Sequence, residues 1–197
     1  MITATIVFLL QAATPLENDY VRVSRNAAPC AAASVPCGDR VIVALGPVEV
    51  RSHEGGPVRK LDRGQIAVFR IGESYEAPTA GEFFEVAIKP NHPRVAGRRN
   101  FIPPQKNVIL YDGDGFFVFE ERLRVGDTRE RHGHRERVVI QLNRTRLQQW
   151  PEGQKEIIRD IEPDRAGFNP PVVHTVKNVG DLPLRGIVIE FKPDRMP

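Results

Sequence analysis

Hydrophobic and polar positions alternate along most of the chain in short blocks, which glycine, proline and polar turn residues separate roughly every eight to fifteen positions. Such blocks are typical of β-strands, because successive side chains of a strand point to opposite faces of its sheet. No segment keeps the 3.6-residue period of a helix with capping residues at both ends. The pattern predicts an all-β protein, with strands at residues 20–23, 40–45, 48–50, 65–71, 82–89, 116–125, 137–142, 147–150, 156–161, 172–177 and 186–192.

The strand pattern occurs twice. Residues 40–45 (Arg-Val-Ile-Val-Ala-Leu) match residues 137–142 (Arg-Val-Val-Ile-Gln-Leu), and residues 87–90 (Ala-Ile-Lys-Pro) match residues 190–193 (Glu-Phe-Lys-Pro). The matched segments are 97 and 103 residues apart, so their order and spacing are nearly the same in both halves. A duplicated unit is the simplest explanation. It predicts two tandem β-sandwiches or barrels at 15–90 and 108–197, with a Pro-, Arg- and Asn-rich linker at 91–107.

The N-terminus and the cysteines indicate the cellular compartment of the chain. Residues 2–13 carry no charge and hold a short apolar centre, followed by small residues and Pro15. This composition is typical of a secretory signal peptide over residues 1–14, although the alternation at 2–6 also suits a first strand. Cys30 and Cys37, the two cysteines of the chain, fit one local disulfide in an exported protein, or else two buried thiols. We therefore expect a periplasmic or secreted protein.

Composition narrows the range of partners. With 41% hydrophobic and 27% charged residues, the chain can bury a core and need not be disordered. Its 28 basic and 25 acidic residues nearly balance, whereas nucleic-acid binding needs a concentrated basic face. No apolar run reaches the roughly eighteen residues that a membrane-spanning helix needs. The expected partner is a small molecule rather than a nucleic acid or a membrane, and a homodimer is compatible with this picture.

Three of the five histidines lie in the second predicted unit. His132 and His134 are two residues apart, so on a strand both imidazoles point to the same face. His174 belongs to another predicted strand. Neutral imidazoles that converge from two strands can bind one divalent ion of Fe, Mn, Ni, Cu or Zn. The alternative is that the three rings only form hydrogen bonds inside a barrel.

The surrounding residues strengthen the metal hypothesis. Residues 126–134 (Gly-Asp-Thr-Arg-Glu-Arg-His-Gly-His) have the glycine, five residues and His-x-His of the first cupin motif, and residues 174–178 (His-Thr-Val-Lys-Asn) resemble the end of the second. Residues 114–193 as a whole are similar to small bacterial cupins, and residues 17–90 follow more faintly through the repeat. The resemblance implies two tandem jelly-roll barrels, with the metal inside the C-terminal barrel on His132, His134 and His174.

The chain also departs from the cupin pattern. The family usually supplies a glutamate ligand four or five residues after the second histidine, where this chain has Val138 and Val139. Glu136 lies close in sequence, in a predicted turn, so either Glu136 or water would complete the site. The first half has no histidine before residue 40, and Tyr75 is expected at the position of His174. The N-terminal unit is therefore predicted to be a degenerate cupin without a metal site.

Arginines are dense around the histidines, and they leave two interpretations open. Strand alternation predicts that Arg129, Arg131, Arg135 and Arg137 point away from the histidine face into solvent. A cationic rim that steers a carboxylate towards the metal is the alternative.

Two classes of function follow from the sequence. Three histidine ligands leave coordination positions open, which suits a metal-dependent oxygenase or an isomerase/lyase that acts on a small organic acid. The alternative is a non-catalytic protein that binds a small ligand or serves in assembly. No catalytic residue and no organic cofactor are predicted.

Overall fold

The computed structural model describes residues 16–28, 30, 38–52, 55–95 and 104–193. Within these residues the chain is all-β: sixteen strands and one short 3-10 helix (Pro104–Lys106). None of the described residues forms a helix of the length and apolarity that crossing a membrane requires. The predicted signal peptide, Cys37 and part of the predicted linker lie outside the described residues. Export and the disulfide therefore stay predictions.

The N-terminal unit contains the first seven strands. A five-stranded antiparallel sheet has the order β1-β2-β7-β3-β6, and β4 and β5 form a separate hairpin. The central strands of the five-stranded sheet have one face in the barrel and one face against the neighbouring unit. The strands are β1 (Leu16–Glu17), β2 (Val21–Arg25), β3 (Arg40–Ala44), β4 (Val48–Arg51), β5 (Val58–Leu61), β6 (Ile66–Phe69) and β7 (Phe83–Ile88).

The C-terminal unit contains the other nine strands in two antiparallel sheets. The larger sheet has the order β14-β11-β16-β9-β8, and the smaller has the order β10-β15-β12-β13. The smaller sheet holds all three candidate ligands. The strands are β8 (Asn107–Asp112), β9 (Phe116–Leu123), β10 (Thr128–His134), β11 (Arg137–Gln141), β12 (Thr145–Pro151), β13 (Ile157–Ile161), β14 (Arg165–Asn169), β15 (Val172–Asn178) and β16 (Leu184–Phe191).

Strand pairing follows the sequence repeat. In the first unit β3 pairs with β7, with Arg40 opposite Ala87; in the second, β11 pairs with β16, with Arg137 opposite Glu190. These are the residues that the repeat aligns, so the matched segments have the same structural role in both units. The predicted fold class, all-β with two jelly-roll units, is confirmed.

The two larger sheets pack against each other through one continuous apolar seam. Because side chains alternate along each strand, every second residue of a central strand faces the other unit and the residues between them face the barrel interior. Side chains from both units form a single buried cluster, which includes Val21, Val23, Val41, Val43, Phe84, Val86, Phe116, Val118, Val138, Ile140, Ile187 and Ile189. The outward faces of the two larger sheets therefore join the units. Polar side chains with a chemical role have to lie on the inward faces.

Candidate metal centre

The structure brings the three predicted ligands together. His132 and His134 lie on β10 and His174 lies on the neighbouring strand β15, with His132 directly opposite His174. One ring nitrogen of each histidine lies within 4.8 Å of those of the other two, and all three residues are buried. The ring centroids are 4.6 to 5.6 Å apart. Three imidazoles therefore face one point inside the C-terminal barrel.

A bulge in β10 changes the direction of one arginine. Arg129 pairs with Val176 and His132 with His174, so β10 has one more residue than β15 between these two pairs. The extra residue interrupts the alternation and turns Arg129 to the buried side, where 1% of the residue is exposed. Its guanidinium forms an ion pair with Glu121. The prediction that Arg129 points into solvent is wrong for this reason.

The other arginines divide between solvent and interior. Arg131 is exposed and forms an ion pair with the exposed Glu152, as alternation predicts. Arg137 is buried instead, and its Nη1 donates to the carbonyl oxygens of Arg135 (3.2 Å) and Pro170 (3.0 Å). Its predicted solvent exposure is wrong, because Arg137 begins a new strand after the turn and faces the barrel.

The local environment keeps the three imidazoles neutral. Burial lowers the pKa of His132, lowers that of His134 well below its ordinary value, and lowers that of His174 to about 2. The neighbouring cationic and imidazole groups act in the same direction on His174. Neutral imidazole is the form that binds a metal, so no proton has to leave at neutral pH before an ion can bind.

Unsatisfied ring nitrogens fit a metal at this position. The Nε2 atoms of His132 and His174 are buried and have no hydrogen-bond partner within the described chain. Such orphaned buried groups are rare in folded proteins and call for a partner that the side chains do not supply. The Nδ1 atom of His132 is 2.7 Å from the carbonyl oxygen of Glu130, which leaves Nε2 as the ligating atom.

A buried glutamate orients the second histidine. The Nδ1 atom of His134 lies 2.7 Å from Oε2 of Glu190, which is on β16 and is 0% exposed. Carboxylates in this position fix the tautomer of a ligating histidine and make it a stronger ligand. Sequence reasoning did not assign Glu190 to the site. The sequence feature that could have indicated its role is a single charged residue in the otherwise apolar run Ile187-Val188-Ile189-Glu190-Phe191.

We expect Glu190→Gln to weaken metal affinity by about 10- to 100-fold, since the amide supports the His134 ring less strongly than the carboxylate does. Competition with a chelator of known affinity measures this change. Glu120→Gln is the matched control, because Glu120 lies on the other face of a neighbouring strand and pairs with Arg122 and Arg185. An unchanged affinity in Glu190→Gln would contradict the orienting role.

Neither Glu136 nor the position of the usual glutamate ligand adds a carboxylate to the site. The Glu136 carboxylate is directed towards the N-terminal unit, with Oε1 3.5 Å from the Tyr20 hydroxyl, and it is not part of the histidine cluster. Val139 lines the cavity beside the histidines, where the cupin pattern leads one to expect a glutamate. The described residues thus supply three histidine ligands and no carboxylate ligand.

Tyr75 lies two positions away from its expected counterpart in the second unit. Glu76 pairs with the fourth residue of β4, and Lys177 pairs with the fourth residue of β12, the equivalent strand. Tyr75 therefore corresponds to Val176, two residues from the expected counterpart His174. The loops of the first unit are shorter here than those of the second. An alignment of the two halves that starts from the matched segments therefore shifts Tyr75 by two residues.

A cavity of about 110 Å³ opens beside the histidines, between the two sheets of the C-terminal unit. Its wall combines two guanidinium groups and three amides with apolar side chains. Burial opposes ionisation of Glu121, but the guanidinium groups of Arg129 and Arg137 outweigh it and hold the pKa of Glu121 below its ordinary value. The lining residues are Glu121, His134, Arg137, Val139, Gln141, Leu147, Gln149, Arg159, Ile161, Asn169, His174, Val176 and Val188.

Solved structures with a similar fold come from the cupins. AerE of Microcystis aeruginosa is 16% identical, with 89% of this chain and 88% of that chain aligned at a TM-score of 0.58. A cupin 2 conserved barrel domain protein of Leptotrichia buccalis is 14% identical, with 90% and 86% aligned and a TM-score of 0.53. The oxalate decarboxylase of Bacillus subtilis, which has Mn(II) centres, is 13% identical, with 90% and 70% aligned and a TM-score of 0.52.

These likenesses show the fold, and at such low identity they show no more than that. No family model and no curated protein matches the sequence. The cupin fold expected from the motifs is confirmed, over most of the chain rather than in its second half alone.

Proposed function

We propose that this chain is an exported, metal-dependent enzyme that acts on a small organic acid. One observation carries the proposal: three buried, neutral histidines, two of them with unsatisfied ring nitrogens, converge beside a cavity that also presents guanidinium and amide groups. The resident ion is a divalent transition metal from the group Fe, Mn, Ni, Cu and Zn. Export rests on the composition of residues 1–14 and on the cysteine pair.

The ligand set suits an open metal site. A bound ion would supply a Lewis acid with coordination positions free for water, dioxygen or a chelating acid. The residues of the chain prepare the space around it: Glu190 fixes the ring of His134, and Arg137, held by two backbone carbonyls, places a fixed positive charge at the cavity wall. A fixed charge stabilises a bound carboxylate without first having to reorganise. An oxygenase or an isomerase/lyase fits this arrangement.

The experiment is a turnover assay on the metal-loaded chain with a panel of small organic acids, in which NMR follows the acids and an electrode follows dioxygen. We expect one class of acid to be consumed, and His132→Ala to abolish the reaction. Arg131→Ala is the control, because Arg131 is exposed and directed away from the site. Acids that bind without being consumed would overturn the enzyme proposal in favour of a non-catalytic binding protein.

A further inference from the structure

We propose that the cavity is a two-ended site for a small dicarboxylic acid, with the metal centre at one end and Arg159 as the carboxylate anchor at the other. This inference rests on the proposed function, because the first carboxylate would reach the ion on the three histidines. It adds the substrate class and the residue that selects it. Four properties of Arg159 and the cavity support the assignment.

The first property is the direction of Arg159. On β13 it lies opposite Leu147 of β12. Cross-strand partners share one face of a sheet, and Leu147 is buried on the interior face. Arg159 is accordingly among the residues that line the cavity, although it is exposed at the open side of the barrel. Its positive charge is therefore available to an anion in the cavity.

The second property is charge. Arg159 has no ion pair with any carboxylate in the described ranges, whereas Arg146, on the neighbouring strand, pairs with Asp160 at 3.5 Å. The one acidic group of the lining, Glu121, is already paired with Arg129. Arg137 adds a second positive charge to the wall. The cavity therefore has an excess of positive charge even before an ion binds, and this favours an anion with two charges.

The third property is the distance between the two ends. His174 lies opposite Pro151 of β12, and Arg159 lies opposite Leu147 of the same strand. Four residues of a strand span about 13 Å, so the backbones of the anchor and the metal ligand are well separated along the barrel. A ligand with two carboxylates can therefore place one at the metal centre and the other at the anchor.

The fourth property is size. At about 110 Å³ the cavity has the volume of three or four water molecules, each taking about 30 Å³ of liquid. Pockets for drug-sized ligands start at about 300 Å³. The space suits an acid of roughly two to four carbons. Gln149 and Asn169, which also line the cavity, can donate hydrogen bonds to its oxygens.

Calorimetric titration of the metal-loaded full chain tests the proposal, with malonate and succinate as dicarboxylate probes and acetate and propionate as matched monocarboxylates. We expect the dicarboxylates to bind more tightly than the monocarboxylates. Arg159→Ala should weaken dicarboxylate binding by about 10- to 100-fold, the usual effect of losing a charge-assisted hydrogen bond, and should leave acetate binding unchanged. Arg159→Lys should restore part of the loss, and Arg146→Ala, whose guanidinium pairs with Asp160, should have no effect.

Two outcomes would overturn the anchor: equal affinity for malonate and acetate in the unchanged chain, or unchanged malonate affinity in Arg159→Ala. Failure of the proposed function gives a different result. If the metal-loaded chain turns over no acid but still holds succinate more tightly than acetate through Arg159, the anchor stands and the enzyme proposal falls. Far-UV circular dichroism of each variant shows whether the barrel is intact.

Discussion

Replacing His174 with alanine is expected to reduce the bound metal from one ion per chain to close to none, and His132→Ala should do the same. The three histidines are the whole ligand set among the described residues, so each substitution removes a third of the protein's bonds to the ion. The remaining rings are held by β10 and by Glu190, and no described carboxylate lies close enough to replace the lost ligand. Elemental analysis of untagged protein, equilibrated with the metal and then desalted, measures the change.

Tyr75→Ala is the matched control for this experiment. Tyr75 is buried in the N-terminal barrel and stacks on Phe69 with ring centroids 4.4 Å apart, and the described part of that barrel has no cluster of candidate ligands. Its loss should leave the metal content unchanged. A metal content that survives the loss of His174, or two ions per chain, would show that the site is assigned to the wrong residues.

The second large effect concerns Glu85, a buried carboxyl group of the N-terminal barrel. Glu85 lies on β7 and is 0% exposed. Burial raises its pKa from 4.5 to about 7, although the Cys30 backbone and Arg40 partly oppose the shift. Between these two pH values the folded chain binds more protons at this residue than the unfolded chain does. The contribution of Glu85 to the free energy of unfolding is therefore fully present below pH 4.5 and is lost as the pH rises through 7, by roughly 3 kcal/mol in all.

Glu85→Gln removes this pH dependence, since the amide is neutral at every pH. We expect the variant to unfold at pH 8 with a free energy roughly 3 kcal/mol above that of the unchanged chain, and at pH 4 with nearly the same free energy. Urea denaturation at both pH values measures the difference, and comparison of the two chains cancels the titration of other groups. Glu49→Gln, at an exposed position of β4, is the control. Equal stability of Glu85→Gln and the unchanged chain at pH 8 would contradict the prediction.

Local sequence patterns predicted much of the fold, because strand formation and burial depend largely on residues that are neighbours in the sequence. Residues 40–45 and 137–142 are short, nearly continuous apolar runs, and they form strands inside their sheets that are buried on both faces. The strand that bears two ligands, β10, was not predicted from hydrophobicity, because its residues 128–134 are nearly all polar. The inner face of β10 forms the site and is polar. The sequence of this strand therefore shows no alternation of apolar and polar residues. The His-x-His spacing alone identified it.

Features that depend on residues distant in sequence could not be predicted in the same way. Glu190 reaches His134 from a strand that comes 56 residues later, and nothing near either residue indicates the pairing. Arg129 faces inwards because β10 has a bulge relative to β15, and a bulge is a property of two paired strands rather than of one. The position of Tyr75 depended on loop lengths that differ between the units. The way in which segments distant in sequence pair with one another determines all three of these features.

The apolar seam between the units has a consequence for synthesis of the chain. A ribosome completes the N-terminal sheet about a hundred residues before β16, so Val41, Val43 and Val86 emerge without their covering partner. At the usual elongation rates this face stays open for roughly 5–20 s, long enough for a chaperone or a second nascent chain to bind it. Burial of this face therefore waits for translation of the second unit, which also carries the metal site.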